Sequence, residues 1–295
     1  MTNTYDFSVA RPDYFKQLAV KDLLFLQYKC PQAEQHVYLF THFNQISFTL
    51  SGKKILHHGT KSWFLTDNTS LFVRKTAYKQ EQVHTVGWEI LAFYFPDSFL
   101  QQFFKGCKSN LPLRNLPSPP SDMLISINVD EATRAFFYSI IPYFSQKTTP
   151  SENLLELKFK ELLYIILSNP ENAALLAYVN SISDLQKPIL HETMEANFMY
   201  NLSLIDFARM TQRSLASFKR DFIEIYHTSP GKWLAQKKLE YAMLLLNTSK
   251  KNVTEIAFDS GFESVTHFSR VFKDKFGLAP LRYRKQNQSL ALINQ

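Results

Sequence analysis

The chain has 295 residues, a hydrophobic fraction of 45%, and 26 Phe, 14 Tyr and 3 Trp, enough apolar surface for two ordinary cores; this excludes a disordered chain. Its longest apolar runs, such as residues 162–167, are too short to span a bilayer, and residues 1–22 hold no signal-like apolar region. The net charge of +7 and pI near 9.2 point toward polyanionic partners.

The charge is unevenly spread. Residues 188–295 carry 15 Lys+Arg against 10 Asp+Glu, a net +5, while residues 1–187 carry 18 against 16, a net +2. Only two cysteines occur, Cys30 and Cys107, in different contexts and at no metal-ligand spacing. In the cytoplasm, where the chain is expected to work, two unpaired thiols are the expected state.

In chain order, residues 36–96 read as strands. The segments 36–43, 46–50, 54–57, 63–65, 70–73 and 88–95 are rich in β-branched and aromatic residues. Turn-prone Ser51-Gly52, Gly59-Thr60 and Thr66-Asp67-Asn68 separate them, which suggests a small barrel or sandwich. Asp97 is expected to N-cap a short helix over 98–104. Pro112, Pro117, Pro119 and Pro120 mark an irregular connection, after which the pattern turns helical. The run Thr149-Pro150-Ser151-Glu152 reads as a capping box with Pro at the first helical position. Leu155, Phe159, Leu162, Leu163 and Ile166 then recur at helical spacing, a stripe for the domain's own core or for a homodimer seam. Asn169-Pro170 stops that helix, a second runs to about Asn180, and residues 181–187 are the expected domain boundary.

Beyond Pro188 the punctuation becomes regular. One helix is expected over 188–199. Ser203 with Asp206 starts a short helix to Thr211, Gln212-Arg213 turn, and Ser214 caps a third helix over 215–225. Two short helices joined by a tight turn make a helix-turn-helix. The pattern repeats after a long helix begun by Ser229-Pro230. Asn252 with Glu255 starts another short helix, Gly261 supplies a left-handed turn, Ser264 caps a helix over 265–276, Gly277 ends it, and Pro280 starts a small closing helix. Phe207-Ala208 matches Ile256-Ala257, and residues 219–222 match residues 269–272.

The residues Ile256-Ala257, Gly261-Phe262, residues 268–273, Phe276-Gly277, Pro280, Tyr283-Arg284 and Thr228-Ser229-Pro230 resemble the DNA-binding domain of the AraC/XylS family over residues 188–285. The resemblance implies a DNA-binding transcription regulator that recruits RNA polymerase. The β-rich residues 30–100 fit the sensor domain of many family members. One departure is Gln212, where relatives usually carry Gly and where a positive φ would strain the chain.

A recognition helix presents its N-terminal residues to base edges in the major groove. The outer face of the second unit then holds Val265, Thr266, His267, Ser269 and Arg270, with Phe268, Val271 and Phe272 facing the core. In the first unit it holds Ala216, Ser217, Lys219 and Arg220. Arg270 and Arg220 suit guanine edges or phosphate, with intrahelical pairing to Asp274 and Glu224 as the alternative. Lys237, Lys238, Lys250, Lys251, Arg282, Arg284 and Lys285 are candidate phosphate contacts or solvated surface.

A small barrel bearing His invites comparison with a cupin metal site, which needs two His two apart on one strand so that both face inward. His57 and His58 are adjacent and point to opposite faces; His84 and Glu89 extend the cluster at no ligand spacing. Ordinary polar residues are the favoured reading, and no catalytic residue, metal or cofactor is expected.

The expected fold class is therefore α+β. Residues 1–125 form a cupin-like β-rich sensor, 126–185 a helical appendage with a possible dimerisation role, and 186–290 an all-α domain of two helix-turn-helix units joined by a long helix. The expected partners are double-stranded promoter DNA, RNA polymerase, a second copy of the chain and an effector that is either a small molecule or a protein; no membrane is expected. Activation is the expected outcome. A repressor or architectural DNA binder, and a cupin-type enzyme with a DNA-binding tail, are the alternatives.

Overall fold

A computed structural model describes residues 1–30, 36–83, 87–146, 148–185 and 188–293, with side chains through residue 286. The chain divides into two compact units, Met1–Pro188 and Ile189–Gln295.

In the first unit the strands are β1 (Thr2–Asn3), β2 (Lys16–Val20), β3 (Leu23–Cys30), β4 (His36–Phe40), β5 (Asn44–Ser51), β6 (Lys54–His58), β7 (Lys61–Leu65), β8 (Ser70–Val73), β9 (Ala77–Gln82), β10 (Trp88–Phe95) and β11 (Leu124–Ile127). A short helix α1 (Thr4–Val9) follows β1. The strands form a five-stranded sheet ordered β1-β4-β9-β6-β7 and a six-stranded sheet ordered β11-β8-β5-β10-β3-β2. The expected turns carry left-handed residues, with φ of 96° at Gly52, 59° at Gly59 and 62° at Asn68. The strand expected over 36–43 ends at Phe40, because the Thr41 hydroxyl donates to the Phe43 carbonyl at 2.9 Å and bends the chain. β1, β2, β3, β9 and β11 lie outside the strands expected from the sequence.

Four helices pack on the six-stranded sheet: α2 (Asp97–Cys107), α3 (Glu131–Ile140), α4 (Glu152–Ser168) and α5 (Ala173–Ile182). The centre of this core is Phe159 of α4. Its ring meets Phe25 at 5.2 Å, Phe95 at 5.0 Å and Phe99 at 5.3 Å. Burying such a side chain contributes about 1.5–3 kcal/mol. Leu155, Leu162, Leu163 and Ile166 are buried beside it, so this stripe is intramolecular core, while Leu157 and Tyr164 of the same helix are exposed. Among the described residues no single helix is long and apolar enough to cross a membrane.

Two caps differ from expectation. Pro96 is the N-cap of α2, and Asp97 lies in the first turn. Its carboxylate accepts from Asn44 Nδ2 at 2.6 Å and pairs with Lys75 Nζ, both partners being buried. A buried ammonium needs this partner, and that demand outweighs capping. Ser151, not Thr149, caps α4, accepting from the Leu154 N–H at 3.3 Å; Pro150 stands before the cap.

The second unit holds α6 (Leu190–Asn197), α7 (Leu204–Met210), α8 (Leu215–Tyr226), α9 (Pro230–Thr248), α10 (Val253–Asp259), α11 (Val265–Phe276) and α12 (Pro280–Ile293). Reciprocal capping boxes at Ser203/Asp206 and Asn252/Glu255 start α7 and α10. Ser214, Ser229 and Ser264 cap α8, α9 and α11. The 19 residues of α9 span about 28 Å at 1.5 Å per residue. Its Leu239, Ala242 and Leu246 share a core with Ile256, Ala257, Phe262, Phe268 and Phe272.

Two positions in each helix-turn-helix are left-handed. In the second unit they are Gly261 (φ 80°) and Gly277 (φ 79°); in the first they are Gln212 (φ 54°) and His227 (φ 53°). A side chain in this region costs about 1–2 kcal/mol, partly offset by the lower chain entropy of a non-glycine residue. Gly261 is also sterically closed. A Cβ there would lie 2.5 Å from the Met199 carbonyl oxygen and 3.0 Å from Lys238 Cε. Gln212→Gly and His227→Gly should each raise the unfolding free energy by about 0.5–1 kcal/mol. Gly261→Ala should lower it by more than about 2 kcal/mol, through strain plus overpacking. Denaturant titration of the three variants checks both signs.

Candidate DNA interface

The two helix-turn-helix units make matching hydrogen bonds at their turns, the second holding one extra residue, Glu263, before its cap. The Gln212 N–H donates to the Arg209 carbonyl at 3.0 Å and the Arg213 N–H to Ala208 at 2.8 Å. In the second unit Gly261 donates to Phe258 at 2.9 Å and Phe262 to Ala257 at 3.0 Å. The small, buried Ala208 and Ala257 stand at the same point of each first helix. Ser214 and Ser264 then start α8 and α11, so the residues that follow them occupy equivalent positions.

On α8, Ala216, Lys219 and Arg220 are exposed and Ser217 is half-buried, while Phe218 and Phe222 are buried. On α11, Thr266, His267 and Arg270 are exposed, Ser269 is half-buried, and Phe268 and Phe272 are buried. Val265 is half-buried and Val271 likewise; both turn part of their surface onto the core. The structure thus brings Thr266, His267, Ser269 and Arg270 to one face, and Ala216, Ser217, Lys219 and Arg220 to its counterpart.

The two arginines differ in restraint. Arg220 does not pair with Glu224 as weighed from the sequence. Its guanidinium donates to Ser217 Oγ at 3.3 Å and to Asp221 Oδ1 at 3.2 Å, with the side chain 75% exposed. Asp221 is held mainly by Arg213, whose Nε donates to Oδ2 at 3.0 Å. The Arg213 hydrogen bond, then that of Arg220, keeps the Asp221 carboxyl below its ordinary pKa. Arg213 and Asp221 replace Phe262 and Val271 of the second unit, an ion pair for an apolar contact. Arg270 is exposed and forms no ion pair with Asp274. The helices also differ in charge. α8 carries Lys219, Arg220, Asp221 and Glu224; α11 carries Arg270, Lys273, Asp274 and Lys275. Where α11 ends with Lys273 and Lys275, α8 exposes Ile223 and Ile225.

Four candidate phosphate contacts are engaged inside the unit. Lys237 pairs with Glu195 at 2.8 Å. Lys238 Nζ donates to the Gly261 carbonyl at 2.9 Å, and burial lowers its pKa. Lys251 pairs with Asp259 at 2.6 Å, and Arg284 Nε donates to the Leu246 carbonyl at 3.2 Å. Lys250 and Arg282 lie exposed, and Lys285, also exposed, has an interaction of its own. The turn around Gly261 is therefore tied to the linker helix by Lys238 and touches Met199; Asn201 Nδ2 donates to Glu263 Oε1 beside it. These contacts dock the second unit's turn on the loop after α6. No sequence pattern flagged that docking or the left-handed His227.

Among the described residues the cupin cluster does not assemble. His57 bonds Ser62 Oγ at 2.8 Å and Glu81 at 2.9 Å; His58 bonds Thr76 at 3.2 Å; Glu89 accepts from Gln27 at 2.8 Å. His84 lies outside the described residues. Among the described residues no group of three His, Cys, Asp or Glu is placed to hold a metal.

The sequence is similar to known proteins over most of its length. A family model described as the ExsA N-terminal regulatory domain matches residues 44–178, and one described as a helix-turn-helix domain matches residues 207–286. The virulence regulon transcriptional activator VirF of Yersinia enterocolitica is 26% identical over 250 residues, 82% of this chain and 92% of that protein. The transcriptional regulator ExsA of Pseudomonas aeruginosa is 30% identical over 129 residues, 44% of this chain and 46% of that one. The solved structure of ToxT from Vibrio cholerae aligns over 90% of this chain and 98% of its own at 17% identity, with a TM-score of 0.42. The chain thus carries an AraC-type helix-turn-helix domain after a segment matching the ExsA regulatory domain, and its relatives over most of its length are AraC family transcriptional regulators.

Proposed function

We propose that the chain activates transcription by binding promoter DNA sequence-specifically through both helix-turn-helix units, under control of residues 1–185. The observation that supports this most is the pair of exposed, equivalent faces on α8 and α11, each backed by buried Phe. Thr266, His267, Ser269 and Arg270, and at its edge Val265, read one major-groove segment; Ala216, Ser217, Lys219 and Arg220 read the next. Arg270 suits a bidentate contact to guanine, and Ala216 a thymine methyl. Lys250, Arg282 and Lys285 hold phosphates. The work is binding rather than catalysis, in the cytoplasm of a bacterial cell, with RNA polymerase recruited once the chain is seated. Activation is favoured over repression because VirF is named an activator. Residues 1–125, with the helices of 126–185, receive the controlling signal from a small molecule or a protein, and any pairing of copies uses a surface other than the α4 stripe.

Arg270→Ala should cost about 1–3 kcal/mol in specific binding and relax preference at one base pair. Arg220→Ala should cost less, because Asp221 already engages that guanidinium. Titration of folded variants against a mapped site measures both, and an unchanged affinity for Arg270→Ala removes it from the interface. Binding should also weaken steeply with salt, log K falling by about 0.9 per contacted phosphate for each unit of log salt. A flat response would place the basic excess away from the DNA.

A further inference from the structure

Lys54 is an unusual residue inside the first unit. It is only 2% exposed and ranks among the largest fully buried side chains, yet among the described residues it forms no ion pair with a carboxylate. It rises from β6 in the five-stranded sheet and reaches β3 in the six-stranded one. Its Nζ lies 3.0 Å from Gln82 Oε1, 3.8 Å from Cys30 Sγ and 5.4 Å from the centre of the Trp88 ring. Trp88 is 5% exposed, and its indole N–H has no hydrogen-bond partner. Trp88 and Cys30 are register partners on β10 and β3. A buried amine is therefore held beside a sulfur at one end of the strands, with no carboxylate partner among the described residues. Burial lowers the Lys54 pKa and so favours the neutral, nucleophilic amine; the nearby Cys30 opposes this.

Cys30 is in no disulfide and is partly exposed. It lines a cleft of about 470 Å³ with Tyr14, Lys16, Gln27, Lys29 and Glu89, open to solvent and wide enough for a small oxidant. Cys107 is buried and lies in a different part of the unit.

We infer that Cys30 and Lys54 form an oxidation-responsive pair that closes to a covalent sulfur–nitrogen bridge when the chain meets a peroxide. The Cys30 sulfur attacks one peroxide oxygen; the O–O bond breaks, leaving a sulfenic acid and one water. The Lys54 nitrogen then attacks that sulfur. The S–O bond breaks, a S–N bond forms, and the hydroxide leaves as a second water with the proton lost from nitrogen. Overall, thiol, amine and one hydrogen peroxide give a sulfenamide and two waters; the sulfur is oxidised by two electrons and the peroxide reduced by two. The bond joins β3 to β6, and so the six-stranded sheet to the five-stranded one. A thiol such as dithiothreitol reverses it, returning the amine and the Cys30 thiol. The sensing unit thereby carries a reversible two-electron switch independent of any ligand.

The test treats the full-length chain with hydrogen peroxide, digests it without reductant and analyses the peptides by mass spectrometry. The expected product is a linked pair containing Cys30 and Lys54, lighter than the two free peptides by two hydrogens and abolished by dithiothreitol. In Lys54→Arg, which keeps the cation but cannot form the bridge, Cys30 should instead accumulate as sulfenic acid captured by dimedone, at least several-fold above wild type. Should that variant fail to fold, the wild-type peptide map decides alone. Dimedone capture of wild-type Cys30 without a linked pair, or oxidation at Cys107 alone, overturns the proposal.

Discussion

The turn at Gly261 fixes where the second reading helix can point. Its left-handed backbone joins α10 to α11, its missing side chain admits the Met199 carbonyl, and its own carbonyl is held by the buried Lys238 of the linker helix. Three elements thus meet at one residue: the loop after α6, the linker and the second unit. The short α7, α8, α10 and α11 have too few residues to be stable alone, so each depends on such tertiary contacts. Because the turn is packed on both the loop after α6 and the linker, the placement of α11 is built into the packing.

The two units are built to one plan but are unequal. The second uses Gly at both left-handed positions, an apolar Phe262 behind the turn, and a reading helix with a net positive charge. The first tolerates Gln212 and His227 in the same backbone conformation, replaces the apolar contact with the Arg213–Asp221 pair, and carries a neutral reading helix. Asp221 also engages Arg220, so part of that arginine's capacity is used before DNA arrives. In the proposed interface the second helix-turn-helix is the stronger electrostatic anchor, and the first contributes through fit as much as charge.

Much of the DNA-binding unit was legible because its signals are local. Ser203, Ser214, Ser229, Asn252 and Ser264 each mark a helix start by accepting from the backbone N–H three residues on, and Gly261 and Gly277 mark ends by their conformation. The first unit was less legible. β2 and β3 precede the segment whose alternation was read as strand, and β3 is apolar on both faces over Leu23–Leu26, so period-two patterning fails there. Asp97 has the sequence signature of a cap but serves Lys75, a partner far away in the chain. The stripe of α4 was correctly apolar, yet spacing alone does not tell an internal core from an interface; the sheet residues Phe25, Phe93 and Phe95 decide it. Contacts such as Met199 with Gly261, or Lys54 with Cys30, join segments distant in sequence and leave no periodic trace.

The central claim is that one chain reads two successive major-groove faces with units held at fixed separation. An α9 of about 28 Å, with a unit packed at each end, is suited to the roughly 34 Å repeat of the duplex. The direct measurement is binding of the chain to a mapped promoter site and to the same site with about 5 base pairs, half a helical turn, inserted between the two half-motifs. The rigid spacing predicts an affinity loss of at least about tenfold, or ~1.4 kcal/mol, because only one unit can then engage its motif. Undiminished affinity for the lengthened site would show that a single unit reads the DNA and would contradict the account.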